Sequence, residues 1–260
     1  MPNELFLPLG AGAFQPTDLT RGPWSSSSQH GGPPSALLAR AVEWTEPTSM
    51  FVARFTVEFI RPVPLAPLTV ASRVTRPGRR VQLIEATLTA DEELVARAMA
   101  LRIRVHKGID LPPEAAGPPE TLAPPDTVEP VRLVPVDWGN FGNALETRPL
   151  VGGLTEPGPS VAWFRLRVPV VQGEDPSPLQ RVLVAADCGN GISSAVDIQR
   201  YLFINPDLTV YQHRPAVGEW VGLDALTRLE KHGSGLAEAA LFDESGRLGR
   251  SLQSLYVDKR

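Results

Sequence analysis

TVEFIRP at residues 56–62 and TVYQHRP at residues 209–215 agree at four positions: Thr56/Thr209, Val57/Val210, Arg61/Arg214 and Pro62/Pro215. The agreement continues without a gap. The same offset pairs Leu83 with Leu236, Glu85 with Glu238, Ala86 with Ala239, Leu88 with Leu241 and Arg97 with Arg250. Two strand-rich segments of similar composition would not hold all these identities in one register, so the chain reads as a structural duplication. In the first copy, alternating runs predict strands over 51–60, 67–76, 80–90 and 94–105. Turns separate them at Pro62-Val63-Pro64, Pro77-Gly78 and Asp91-Glu92-Glu93. Val95, Met99, Leu101, Ile103 and Val105 alternate with Ala96, Ala98, Ala100, Arg102 and Arg104, the period of a strand buried on one face. Upstream, GGPPSALLARAVEW sets Leu37, Leu38, Ala41 and Val42 on one helical face behind a Gly-Pro start signal. The second copy is expected to open with a helical run near 187–200. Strands near 201–212, 217–230, 234–243 and 247–257 follow it. A helix followed by an antiparallel meander, twice over, is an α+β plan, with a long sheet curled round one helix per copy.

Between the copies, LPPEAAGPPETLAPPDTVEP at 111–130 repeats Pro-Pro every six residues. Paired prolines sustain neither helix nor sheet interior and give the segment polyproline character. The chain therefore divides into 1–107, a Pro-rich linker at 108–135, and 136–260. Its 260 residues, 42% apolar and 21% charged, describe a globular chain large enough to fold without staples. The single Cys188 excludes an internal disulfide and any Cys-based metal site. A net charge of −4 argues against a nucleic-acid partner. MPNELFLPLG lacks the features of a signal peptide, and no apolar run approaches a membrane span. The expected setting is cytoplasmic. Four scattered His residues make no metal spacing, no G-x-S-x-G elbow occurs, and no Gly-rich dinucleotide or phosphate loop suggests a cofactor.

Four segments resemble the acyl-CoA thioesterase II family: HGGPPSALLARAVE (30–43), DWGNFGNALETRPLVGG (137–153), PLQRVLVAADCGNGISSA (178–195) and YQHRPAVGEWVGLDALT (211–227). The resemblance covers nearly the whole chain outside the linker, and its order and spacing are more specific than any one string. It implies a tandem (double) hotdog, each half a long helix wrapped by an antiparallel sheet, with the two sheets joined into one. It also implies an acyl-CoA thioesterase of fatty-acid metabolism that activates a water rather than a serine or cysteine. Carried over by position, the carboxylate falls on Asp187, at the expected start of the second helix, and the amide on Gln253 in the last strand. The hydroxyl position falls on Asn205, a departure, since better-known members have Thr there. Thr209 or Ser193 are alternatives for that role.

Thioester hydrolysis needs a basic group for the water and donors for the developing oxyanion. Gly31 and Gly32 let backbone approach the thioester closely. His30 beside them is expected to line the substrate site, and Arg76, Arg79 and Arg80 to meet the phosphates of coenzyme A. At the repeat offset Gln253 faces Ala100, so the second copy is expected to carry the chemistry and the first to supply scaffold. Two other readings stand beside hydrolysis: a non-catalytic acyl-CoA-binding hotdog, and an acyl-thioester hydratase or dehydratase, for which Asn205-Pro206 is a partial motif. Two copies in one chain already supply a dimer-like unit and leave homo-oligomers of such chains open.

Overall fold

The computed structural model describes residues 3–106, 108–131, 140–152 and 157–260. The expected boundaries at 107 and at 135–136 lie outside them. The first half contains β1 (Phe6–Gly10), β2 (Ala13–Pro16), α1 (Gly32–Trp44), β3 (Met50–Phe59), β4 (Leu68–Arg76), β5 (Val81–Ala90) and β6 (Glu93–Arg104). The second contains β7 (Leu145–Val151), β8 (Ser160–Leu166), α2 (Pro178–Ala186), α3 (Gly189–Ile192), β9 (Tyr201–Ile204) and β10 (Asp207–Gln212). It ends with β11 (Trp220–Leu229), β12 (Ser234–Asp243) and β13 (Gly246–Lys259). These strands make one antiparallel sheet in the order β1-β2-β4-β5-β6-β3-β10-β13-β12-β11-β8-β7, with β9 on β13.

That order reads as a palindrome about the β3–β10 junction, where the double hotdog joins its sheets. Thr56 sits opposite Thr209 there, and their hydroxyls are 3.1 Å apart. The first repeated residue in the sequence is thus the residue at the molecular dyad. The other identities have equally physical causes. Ala86 and Ala239, like Leu88 and Leu241, are buried on the helix side of β5 and β12. Glu85 and Glu238 face outward and pair with Arg73 and with Arg228 and Arg250.

On β6 the buried face is Ala96, Ala98 and Ala100 with Arg102, while Ile103, and Val105 just past its end, are exposed. Small residues win because α1 lies close above this face. Arg102 is satisfied there by carbonyls of Val42, Thr45 and Glu46 at the end of α1.

The second helix corrects the expected 187–200. Ser177 caps α2, its Oγ accepting from Gln180 N at 3.2 Å, and Pro178 occupies the first turn. Asp187 therefore closes α2 instead of opening it, and only the short α3 follows. The helices α1 and α2 pack with backbones close together: a Cβ on Gly32 would stand 3.1 Å from Val184 O. The hairpins β1–β2 and β7–β8 close the sheet ends, and of their strands the sequence marks only β7, where Glu146 and Arg148 fall. They are short and carry Pro8, Pro16 and Pro149, which blunts exposed edges. The segment after β8 covers the start of β1, with Leu5 and Phe6 N–H donating to Pro169 O and Val170 O.

The Pro-rich segment is two stretches of different character. Residues 108–117 make one exposed 3-10 turn at Pro113–Ala116. From Glu120 onward the chain straps the second half. The buried Trp163 indole donates to Ala123 O at 2.8 Å, Arg148 to Pro125 O and Val128 O, and Arg247 N to Glu120 O. Deleting Pro112–Gly117 should leave Tm nearly unchanged. Deleting Pro118–Ala123, also six residues, strips the Trp163 donor of its acceptor and should cost about 1–3 kcal/mol for that group alone. Equal melting temperatures for the two deletions would show that the strap contributes nothing.

Candidate active site

A cavity of about 800 Å³ opens where the halves meet, lined from the first by Trp24, Gln29, His30, Gly31 and Phe59. Phe141, Asp187, Asn190, Phe203 and Asn205 are among its walls from the second. Asp187 lies in its wall, 2% exposed. The turn between α2 and α3 presents its carboxylate, and three side chains converge on it. Asn205 Nδ2 donates to Oδ1 at 2.9 Å, and Gln253 Nε2 donates to the same oxygen at 3.3 Å. His30 Nδ1 stands 2.8 Å from Oδ2.

Each of these groups is itself oriented. Gln253 sits in the middle of β13, and its Oε1 accepts from Asn190 N at 3.1 Å, so its Nε2 end must face Asp187. Asn205, in the turn between β9 and β10, also reaches Asp207 O at 3.3 Å. His30 stacks on Phe141, with centroids 4.5 Å apart and planes at 29°. Its Nδ1 also lies 3.2 Å from Gly32 N. One ring nitrogen does not both donate and accept. The shorter contact, to a buried carboxylate, takes the proton, and Gly32 N–H is left without that acceptor.

Gly31 is where glycine is required. A Cβ there would stand 2.7 Å from Phe59 Cζ and 2.8 and 2.9 Å from the Asp187 oxygens. Gly31→Ala must therefore displace the carboxylate, and turnover should fall at least tenfold with far-UV circular dichroism unchanged. Turnover equal to wild type would mean that Asp187 can move without consequence.

Thus Asp187, Asn205, Gln253, His30, Gly31 and Gly32 come together. Arg76, Arg79 and Arg80 do not: they lie at the exposed β4–β5 hairpin and line no part of the cavity. Their cluster is a solvated hairpin tip. Thr209 is spent on Thr56, and Ser193 on Gly189 O and Thr227, so neither contacts Asp187. The two copies meet at the site, because His30 of the first half touches the carboxylate of the second. The sequence offered no signal for that contact, since the two residues meet only through α1–α2 packing. Phe141 was missed for the same reason. Cys188 is buried beside Asp187, and burial, with the Asp187 charge, pushes its thiol well up, the opposite of a nucleophile's requirement. Among the described residues no cluster of His, Cys, Asp and Glu is arranged to hold a metal ion, and no helix is long and apolar enough to cross a membrane.

Solved structures share this architecture. A protein assigned as a thioesterase II from Thermobifida fusca is 17% identical with a TM-score of 0.75, over 98% of this chain and 96% of that one. One assigned as a thioesterase from Novosphingobium aromaticivorans is 21% identical, with a TM-score of 0.71 and coverage of 97% and 98%. An acyl-CoA thioesterase II from Mycobacterium marinum is 17% identical, with a TM-score of 0.66 and coverage of 98% and 96%. At such identities the likeness establishes the hotdog fold. No curated protein matches the chain. The family models carry more: the acyl-CoA thioesterase N-terminal domain matches residues 20–103 and the C-terminal domain matches residues 115–257. The chain belongs to the acyl-CoA thioesterase II family and is a thioester hydrolase.

Proposed function

We propose that the protein hydrolyses an acyl-CoA thioester to free acid and coenzyme A, with water activated at Asp187. The observation that carries this reading is the convergence of Asn205, Gln253 and His30 on one buried carboxylate in the cavity wall. The two amides hold Oδ1, and Oδ2 keeps a lone pair beyond His30 to take a proton from water. The hydroxide adds to the thioester carbonyl, the tetrahedral oxyanion collapses, and the thiolate leaves, taking up the proton. This reading assigns Gly32 N–H, at the start of α1, to that oxyanion. Pro33 and Pro34 follow it without N–H groups, and Ser35 N is bound to Gly31 O, so Gly32 is the donor left in this first turn. With such a substrate, the reaction is proposed to serve fatty-acid metabolism.

The 2.8 Å His30 contact favours a second assignment, in which Asp187 orients the imidazole and Nε2 takes the water proton. The two separate on His30→Ala. With Asp187 as base, affinity or stability changes more than turnover. With His30 as base, turnover falls about a thousandfold at intact affinity.

Thiol release from short, medium, long and aryl acyl-CoAs tests the function, and release from at least one class is the expected result. Binding of all four without release would make the protein an acyl-CoA binder. A fall in enoyl-CoA absorbance without release would make it a hydratase, which an adjacent His and Asp also suit.

A further inference from the structure

Gln29 immediately precedes His30 and is 8% exposed in the cavity wall. Its backbone N–H donates to Val63 O at 2.8 Å, and its side-chain Nε2 donates to Pro64 O at 2.7 Å. A carbonyl accepts only from a donor, so this contact fixes the amide's orientation and turns Oε1 away from Pro64. Oε1 is buried and has no hydrogen-bond partner among the described residues. A β-bridge pairs Gln29 with Arg21, which lines the same cavity. Arg21 repeats the pattern with opposite polarity. Its terminal nitrogen holds Asp18, while its Nε is a buried donor with no partner among the described residues.

Native structures rarely leave buried polar atoms unmatched, and an orphan acceptor and an orphan donor on bridge-paired residues of one cavity suit a ligand offering both an N–H and a C=O. A secondary amide is that ligand. Its place is also specified. Gln29 and His30, whose ring touches Asp187, line one cavity, which puts the proposed amide in the same chamber as the reacting carbonyl. In a pantetheine thioester the first amide nitrogen is two methylenes from the sulfur. The cavity's cations agree with this emphasis. Among its described lining residues they are Arg21 and Arg61, each already facing a carboxylate, Asp18 and Glu93.

We propose that Gln29 Oε1 and Arg21 Nε form a subsite for the pantetheine amide nearest the thioester sulfur. The proposal rests on the acyl-thioester reading above and adds which part of the substrate is recognised.

The test uses one acyl group on three thiols: coenzyme A, N-acetylcysteamine, which keeps the amide and little else, and propanethiol, which lacks it. For the wild type, kcat/KM on the N-acetylcysteamine thioester should exceed that on the propyl thioester about tenfold, the worth of one or two hydrogen bonds. Gln29→Met keeps the length and removes the acceptor, and should bring that ratio close to one. Arg21→Lys keeps the charge beside Asp18, removes Nε, and should shrink the ratio part of the way. A ratio unchanged in both variants overturns the subsite. So does an equal loss on all three thioesters, which would make the orphan atoms a purely structural feature. A wild type that hydrolyses none of them would sink the hydrolysis reading, not this one. Calorimetric affinity for a non-hydrolysable acyl thioether of pantetheine, against its amide-free counterpart, then reads the same ratio in the same variants.

Discussion

Asp187→Asn lowers kcat by about 10²–10⁴-fold, the usual contribution of a positioned base. Asn fills the same volume, and its oxygen still accepts from Asn205 and Gln253, so KM should stay near the wild-type value. Folding should not suffer either, because the substitution removes a charge that is 2% exposed and costly to bury, and the imidazole tautomer with its proton on Nε2 lets Nδ1 accept from the new amide. A melting temperature equal to or above that of wild type would therefore accompany the loss of turnover. A kcat within threefold of wild type would remove Asp187 from the chemistry. Gln253→Ala should cost less, since Asn205 and His30 still hold the carboxylate. Asn205→Thr replaces one donor by another of shorter reach and should keep or raise the rate. If that substitution abolished turnover, Asn205 would be a specific partner of Asp187 rather than a tolerated departure.

How much of this site was legible follows from the range of each interaction. The repeat register located the dyad because Thr56 and Thr209 are bound to each other across it. Local spacing located the strands, and the turns that bound them are written in Pro and Gly. Asp187 and Gln253 were found by family position, 66 residues apart yet joined by a hydrogen bond. Their neighbour His30 was recognised as lining the site but not as a partner of Asp187. Nothing in HGG states that α1 will lie against α2 closely enough to bring residue 30 to residue 187. The helix error has a local cause. The Ser177-Pro178 start signal stands in the sequence, but Asp187 also suits a helix start, because Asp is common at N-caps. The Arg76–Arg80 cluster misled for the converse reason: charge density is visible in a sequence, and its distance from a cavity is not.

Asp243→Ala should destabilise the fold by about 3 kcal/mol, the low end of the range for breaking a buried ion pair. Asp243 ends β12 with a fully buried side chain that four donors surround. Arg214 Nη2 donates to Oδ1 at 2.7 Å and its Nη1 to Oδ2, while Val217 N and Ser245 N each donate at 2.8 Å. This is the His-Arg-Pro motif of the sequence put to structural use. It clamps the turn after β10 to the β12–β13 hairpin, and so fixes the strand whose first turn carries Asn205. The low end applies because Arg214 keeps Gly246 O and Arg247 O as acceptors and is partly solvated. Burial alone would push the Asp243 carboxyl up. The Arg214 hydrogen bonds, then the two backbone N–H groups and the Arg214 charge, outweigh it and hold the carboxyl below its ordinary value. A carboxyl whose folded value lies below its unfolded value of about 3.9 contributes its full stability above that pH. The contribution disappears as pH falls through the folded value. The wild-type advantage over Asp243→Ala in urea unfolding should therefore be constant from pH 7 to pH 5 and shrink below about pH 4. An advantage that instead grew on acidification would mean that Asp243 is protonated in the folded protein and that its role is packing alone.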